Sequence, residues 1–156
     1  MKSAVHRSLL EARMDTRILI VDDSTTVRQQ IKIALSVAGI RTEEAVDGLE
    51  GWSKLQSPGS FDLAIIDIQM PRLDGIGLAG KIRASERHQT MPFLMCSSMG
   101  PDEARTARNI GARGWIIKPF EPKRLILAVC KVLNLPPPAD SMLLDKASTY
   151  ETACAT

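Results

Sequence analysis

The sequence predicts an α/β domain: five parallel strands in one sheet, in the order 2-1-3-4-5, with five helices covering both faces. Two observations carry that class. Short apolar runs alternate with longer amphipathic stretches five times along the chain, the pattern of parallel strands joined by crossover helices. Three of the runs are almost wholly apolar, whereas one is polar and one is short. A parallel strand in mid-sheet is covered on both faces, so the apolar runs take the centre and the other two take the edges.

The first strand, Arg17 to Val21, ends in Asp22-Asp23. Ser24 or a neighbouring threonine then caps a helix with Val27, Ile31, Ala34, Leu35 and Ala38 on one face. Gly39 stops it where a left-handed backbone is needed. The polar strand, Arg41 to Val46, leads through Asp47-Gly48 to a helix with Leu49, Trp52 and Leu55 on one face, broken by Ser57-Pro58-Gly59-Ser60. The third strand, Leu63 to Ile66, ends at Asp67, and a Met70-Pro71 step and an Asp74-Gly75 turn follow. A helix from Gly75 to Ala84 precedes the strand Pro92 to Cys96, which ends in Ser97-Ser98. A weak helix from Pro101 to Ile110 stops at Gly111, and the short strand Trp115-Ile116-Ile117 ends in Lys118-Pro119. Pro122 fits the first turn of a last helix whose core stripe is Leu125, Val129, Val132 and Leu133.

Composition narrows the function. The 156 residues suit one domain, which we place at residues 16–135. Residues 1–15 form an N-terminal extension, a short helical arm or a floppy leader. Residues 136–156 form a spacer stiffened by Pro136-Pro137-Pro138, then a flexible tail too short for a DNA-binding module. A net charge of +2 with no dense basic run argues against nucleic acid or a membrane surface as partner. No apolar stretch reaches membrane-spanning length, and the N-terminus lacks the hydrophobic core of a signal peptide. Cys96, Cys130 and Cys154 are far apart and the chain has only two histidines, so disulfide and zinc frameworks fail and a reduced cytoplasmic protein is expected.

The strand ends carry the chemistry. With strands one and three adjacent, Asp22, Asp23 and Asp67 meet at the switch point of the sheet, where open α/β sheets build their sites. Three carboxylates packed together resist ionising unless a cation joins them. Mg2+ takes one or two carboxylates, keeps several waters and accepts phosphate oxygens. Asp23, Asp67, the backbone carbonyl near Gln69 and waters supply such a set, and Lys118 adds a second positive charge. Two cations facing a carboxylate suit phosphoryl transfer, and a carboxylate can itself be the nucleophile. Asp67, between the acid pair and the lysine, is the candidate acceptor.

These residues resemble the response-regulator receiver family. The likeness spans about Thr16 to Leu133 and rests on Val21-Asp22-Asp23, on Asp67 with Met70-Pro71 and Asp74-Gly75, on Ser97, and on Lys118-Pro119-Phe120. The segment from Gly111 to Pro122 is similar to single-domain, chemotaxis-type members in particular. Family membership implies a flavodoxin-like fold; this strand order is the family's own, so it is no independent support for the likeness. The resemblance further implies that Asp67 takes a phosphoryl group from a histidine kinase or a histidine phosphotransfer protein. Asp23 would then bind Mg2+ directly and Asp22 through water. Lys118 would pair with the phosphoryl group before a cis Pro119, and Ser97 would bond a phosphoryl oxygen. Trp115 falls at the aromatic switch position, where Tyr or Phe is commoner, and it either switches or simply packs the sheet edge. A downstream target would dock on the face of the fourth helix, fifth strand and fifth helix. Ser98 departs from the small alanine usual there.

Three other readings compete. A haloacid-dehalogenase-type phosphatase also uses an aspartyl phosphate, but needs a second aspartate where Gln69 stands. A receiver fragment of a larger regulator, or a degenerate binding module, shares the fold. The run Gly75-Ile76-Gly77-Leu78-Ala79-Gly80 matches a dinucleotide-binding fingerprint but does not follow its strand directly, and the next strand ends in Ser97 rather than an acid. Small residues for close packing explain it.

Overall fold

The computed structural model describes residue 8, residues 11–98 and residues 100–138; the tail expected at 139–156 and most of the leader lie outside the described residues. The elements are β1 (Arg17–Val21), α1 (Thr25–Val37), β2 (Arg41–Ala45), α2 (Gly48–Gln56) and β3 (Leu63–Asp67). They continue with α3 (Gly75–Ala84), β4 (Phe93–Ser97), α4 (Pro101–Asn109), β5 (Gly114–Ile117) and α5 (Pro122–Val132). The five strands are parallel and ordered β2-β1-β3-β4-β5. Residues 11–15 are helical as well, so a sixth helical segment precedes the five the periodicity predicts.

Alternation along the strands divides the core. Ile18, Ile20, Leu63, Ile65 and Leu94 face α1 and α5, where they meet Ile31, Leu35, Leu125 and Val129. Leu19, Val21, Ala64, Ile66, Phe93 and Met95 face the other way, onto Leu55, Leu78, Ile82 and Ala107. A central strand buried on both faces needs apolar side chains at every position, which is why β1, β3 and β4 read as unbroken apolar runs. Each aliphatic side chain so buried contributes roughly 1.5–3 kcal/mol.

Helix ends follow local chemistry. Ser24, Asp47 and Asp74 cap α1, α2 and α3 by accepting the N–H groups of Val27, Glu50 and Gly77. Proline opens α4 and α5, where a missing N–H costs nothing. Gly39, at φ 76°, takes the left-handed position after α1.

Two helix faces differ from the periodic reading. In α2 the inward positions are Gly48, Gly51 and Leu55, while Leu49 is 49% exposed. The reason is steric: a Cβ at Gly51 would lie 3.1 Å from Val21 methyls, so this face must be small for the helix to approach the sheet. In α5 the buried stripe is Leu125, Ile126, Val129 and Cys130, with Val132 and Leu133 only partly covered.

At the N-terminal end of the sheet, contacts reach across the limits drawn at residues 16 and 135. Arg13 is buried and its guanidinium donates to the Pro136 carbonyl. Thr16 donates its hydroxyl to the Ala12 carbonyl at 2.8 Å. No helix among the described residues is long and apolar enough to cross a membrane.

Candidate functional site

The C-terminal strand ends converge where β1 and β3 run side by side. Val21 pairs with Ile66, so Asp22 and Asp67 emerge from adjacent strands at the same level. Carboxylate oxygens of Asp22, Asp23 and Asp67 all lie within 4.8 Å of one another. Asp22 is 1% and Asp67 5% exposed, while Asp23 faces solvent. From the far side, Lys118 at the end of β5 reaches in; its Nζ donates to Asp22 Oδ2 at 2.7 Å and stands 3.2 Å from Asp67 Oδ1. The Lys118–Pro119 peptide is cis, and the Lys118 N–H donates to the Ser97 carbonyl at 3.0 Å.

Burial pushes the Asp67 carboxyl above its ordinary range, and the neighbouring charges of Asp22 and Asp23 push the same way; Lys118 offsets this only in part. Burial alone would lower the Lys118 ammonium, but the hydrogen bond to Asp22 and the charges of Asp22 and Asp67 outweigh it and hold it raised. The site therefore carries more negative charge than its lysine balances, and a further cation relieves it. Its donors are all carboxylate oxygens, the set a hard divalent ion prefers.

The two members of the acid pair are not equivalent. Asp22 already has a partner on each oxygen, since Oδ1 accepts the Ser24 N–H at 2.8 Å and Oδ2 accepts from Lys118. Asp23 is left facing the opening.

Ser97, the last residue of β4, is buried one strand over from Asp67, and Ser98 turns outward. Trp115 pairs with Met95 from β5 and packs, half-buried, against the cluster under α3 and α4. Gln69 lies two residues past Asp67 in the loop before α3, its side chain exposed. That loop is closed tightly: the Gly75 N–H donates to the Ile68 carbonyl at 2.9 Å, and a Cβ at Gly75 would sit 2.1 Å from the Asp67 carbonyl oxygen. Glycine is required there by close backbone approach rather than by a nucleotide. Cys96, beside Asp67 in the sheet, has its thiol pushed up to about 12, chiefly by burial, and is inert.

Sequence reasoning missed one pair. Asp47 was legible as a helix cap, but it is fully buried and its second oxygen accepts from the Arg72 guanidinium in the loop after Asp67. An acid of no obvious charge partner before a Gly-led helix was the available signal; the partner, 25 residues on, is set by tertiary structure.

A switch-point cluster of acids facing a lysine, on a doubly wound sheet in this order, defines a signal-receiver class of α/β domain. Residues 18–130 match the family model of the response regulator receiver domain, and the chain belongs to that family. Among its relatives is the chemotaxis protein CheY1 of Helicobacter pylori, 38% identical over 111 residues that cover 70% of this chain and 90% of that protein. The chemotaxis response regulator CheY4 of Vibrio cholerae is similar in structure, with a TM-score of 0.71 and 34% identity over 76% of this chain and 98% of that one. The receiver domain of NtrX from Brucella abortus gives a TM-score of 0.69 and 33% identity, over 76% of this chain and 99% of that domain.

Proposed function

We propose that this chain is a phosphorylation-operated switch whose acceptor is Asp67, charged by the phosphohistidine of a histidine kinase or phosphotransfer protein. The observation that carries the reading is the placement of a buried, raised carboxylate between two further acids and a lysine 3.2 Å away. Asp67 attacks the phosphorus, the P–N bond to histidine breaks, and the electron pair leaves with the imidazole. Asp23, Asp67 and the Gln69 carbonyl would hold Mg2+ together with waters, and the ion would supply positive charge against the transferring group. Lys118 supplies the second positive charge, and being held by Asp22 it needs little rearrangement to meet the phosphoryl oxygens. Ser97 donates its hydroxyl to one of those oxygens, and Trp115 follows into the space vacated. The surface of α4, β5 and α5 changes with it and takes up a target protein.

Likeness to chemotaxis regulators over nearly their whole length supports a role in chemotaxis or motility signalling, in the cytoplasm. Turnover beyond slow self-dephosphorylation is not part of this reading, since Gln69 lacks the acid a phosphatase needs. Incubation with a small phosphoramidate tests it. Phosphorylation should require Mg2+, stop on chelation, and map to Asp67. Labelling that persists in a chelator contradicts the mechanism.

A further inference from the structure

Asp47 and Arg72 meet beside the acceptor loop, outside the acidic cluster. A fully buried carboxylate is tolerated only with partners on its oxygens. Asp47 has two: Oδ1 accepts the Glu50 N–H at 2.9 Å as the cap of α2, and Oδ2 accepts from Arg72. Burial alone would raise this carboxyl, yet the Glu50 amide and the Arg72 guanidinium together hold it below the usual range.

The consequence lies in the loop of residues 68–74. Its two ends are tied together by the bond from Gly75 to Ile68, and its near half is set by the buried side chains of Ile68 and Met70. Its far half is fastened to the start of α2 by two links, the ion pair of Arg72 and the Gly48 N–H donating to the Leu73 carbonyl at 3.1 Å. The fit is close, because a Cβ at Gly48 would lie 2.3 Å from that carbonyl oxygen. Arg72 itself sits at φ 70°, a left-handed conformation that costs any non-glycine residue free energy and persists where surroundings impose it. Gln69 lies between the buried Ile68 and Met70, three residues before Arg72.

We propose that the Asp47–Arg72 pair is a positioning device for the cation site. It fixes the turn that carries Gln69, whose carbonyl would join the acids in holding the ion, so that Mg2+ affinity and phosphoryl lifetime depend on a contact outside the site. Arg72 acts through the loop, with its guanidinium held by Asp47. The proposal rests on the receiver reading.

Calorimetric titration of Mg2+ into the full chain tests it. Arg72→Asn keeps a residue that tolerates the left-handed backbone, and Asp47→Asn keeps a helix cap, so both remove the charge pair without removing local structure. Each should weaken Mg2+ binding by about tenfold, the lower end of the loss when a partner behind a metal ligand is removed. The double variant should be no weaker than either single one, and Arg72→Lys should keep most of the affinity. Thermal melts without Mg2+ establish that each variant is folded at the titration temperature. Unchanged affinity in both single variants, or losses that add in the double, overturn the proposal. A wild-type chain that binds Mg2+ but takes no phosphoryl group from acetyl phosphate overturns the proposed phospho-acceptor function instead, and the titrations still decide the positioning role.

Discussion

Lys118 and Asp67 face each other at 3.2 Å across the end of the sheet, from strands that are not neighbours. The lysine is the counter-charge for two buried acids, Asp22 and Asp67. Removing either partner should therefore act with opposite sign. Lys118→Met leaves Asp22 and Asp67 uncompensated and should cost about 2 kcal/mol, somewhat less than breaking a fully buried pair.

Asp67→Asn should stabilise the Mg2+-free protein. The carboxyl is harder to ionise folded than unfolded. At neutral pH its ionisation therefore works against the folded state, and the penalty fades as pH falls through the raised value. The amide carries no such penalty. Melting curves at pH 7 and pH 4 in a chelator should show a higher midpoint for Asp67→Asn at pH 7, by roughly 3 °C per kcal/mol relieved, and a smaller gap at pH 4.

Mg2+ should bind weakly, and Asp23→Ala should lose more affinity than Asp22→Ala. Asp22 already meets Ser24 and Lys118, whereas Asp23 faces the opening. Titration of the two variants checks the ranking, and the reverse order reassigns the direct ligand.

His88 is expected to give the protein an acid limit. It is buried against Trp52 in the loop after α3, and its Nε2 has no partner among the described residues. Burial, reinforced by the charge of Arg87, depresses its protonation despite a bond to the Leu55 backbone. The unfolded chain then binds the proton more readily, so stability is lost as pH falls below about 6.5. The drop in urea midpoint between pH 7.5 and pH 5.5 should shrink in His88→Gln. An equal drop in both proteins refutes the assignment.

Much of this was legible in the sequence, for identifiable reasons. Strand order followed from β1, β3 and β4 being apolar at all but one end position each, a property imposed by burial on both faces. The acids, Ser97 and Lys118 were legible because each terminates an apolar run, and a parallel sheet brings such ends to one edge. What escaped depended on contacts distant in sequence. Leu49 has a helical spacing that suits burial, yet α2 presents glycines to the sheet because Val21 and Leu73 leave no room for more. Asp47 and Arg72 each look like ordinary turn residues, and only the folded loop makes them a pair. Arg13, read as leader, is buried against the chain beyond α5 through a hydrogen bond no periodicity reports.

Signal output should be visible in Trp115. With Trp52→Phe silencing the other indole, phosphorylation should change Trp115 fluorescence and acrylamide quenching. Ser97→Ala should blunt that change while Asp67 still accepts the phosphoryl group, because the hydroxyl supplies the pull toward the new anionic oxygens. An indole that reports one environment in both states rules out this route.

The central claim is that Asp67 is the acceptor, and intact-mass measurement after incubation with acetyl phosphate and Mg2+ tests it most directly. The wild-type chain should gain a single phosphoryl group that is stable in acid and lost in base, and Asp67→Asn should gain none. Full labelling of Asp67→Asn, or a wild-type chain that stays unlabelled with Mg2+ present, contradicts the account.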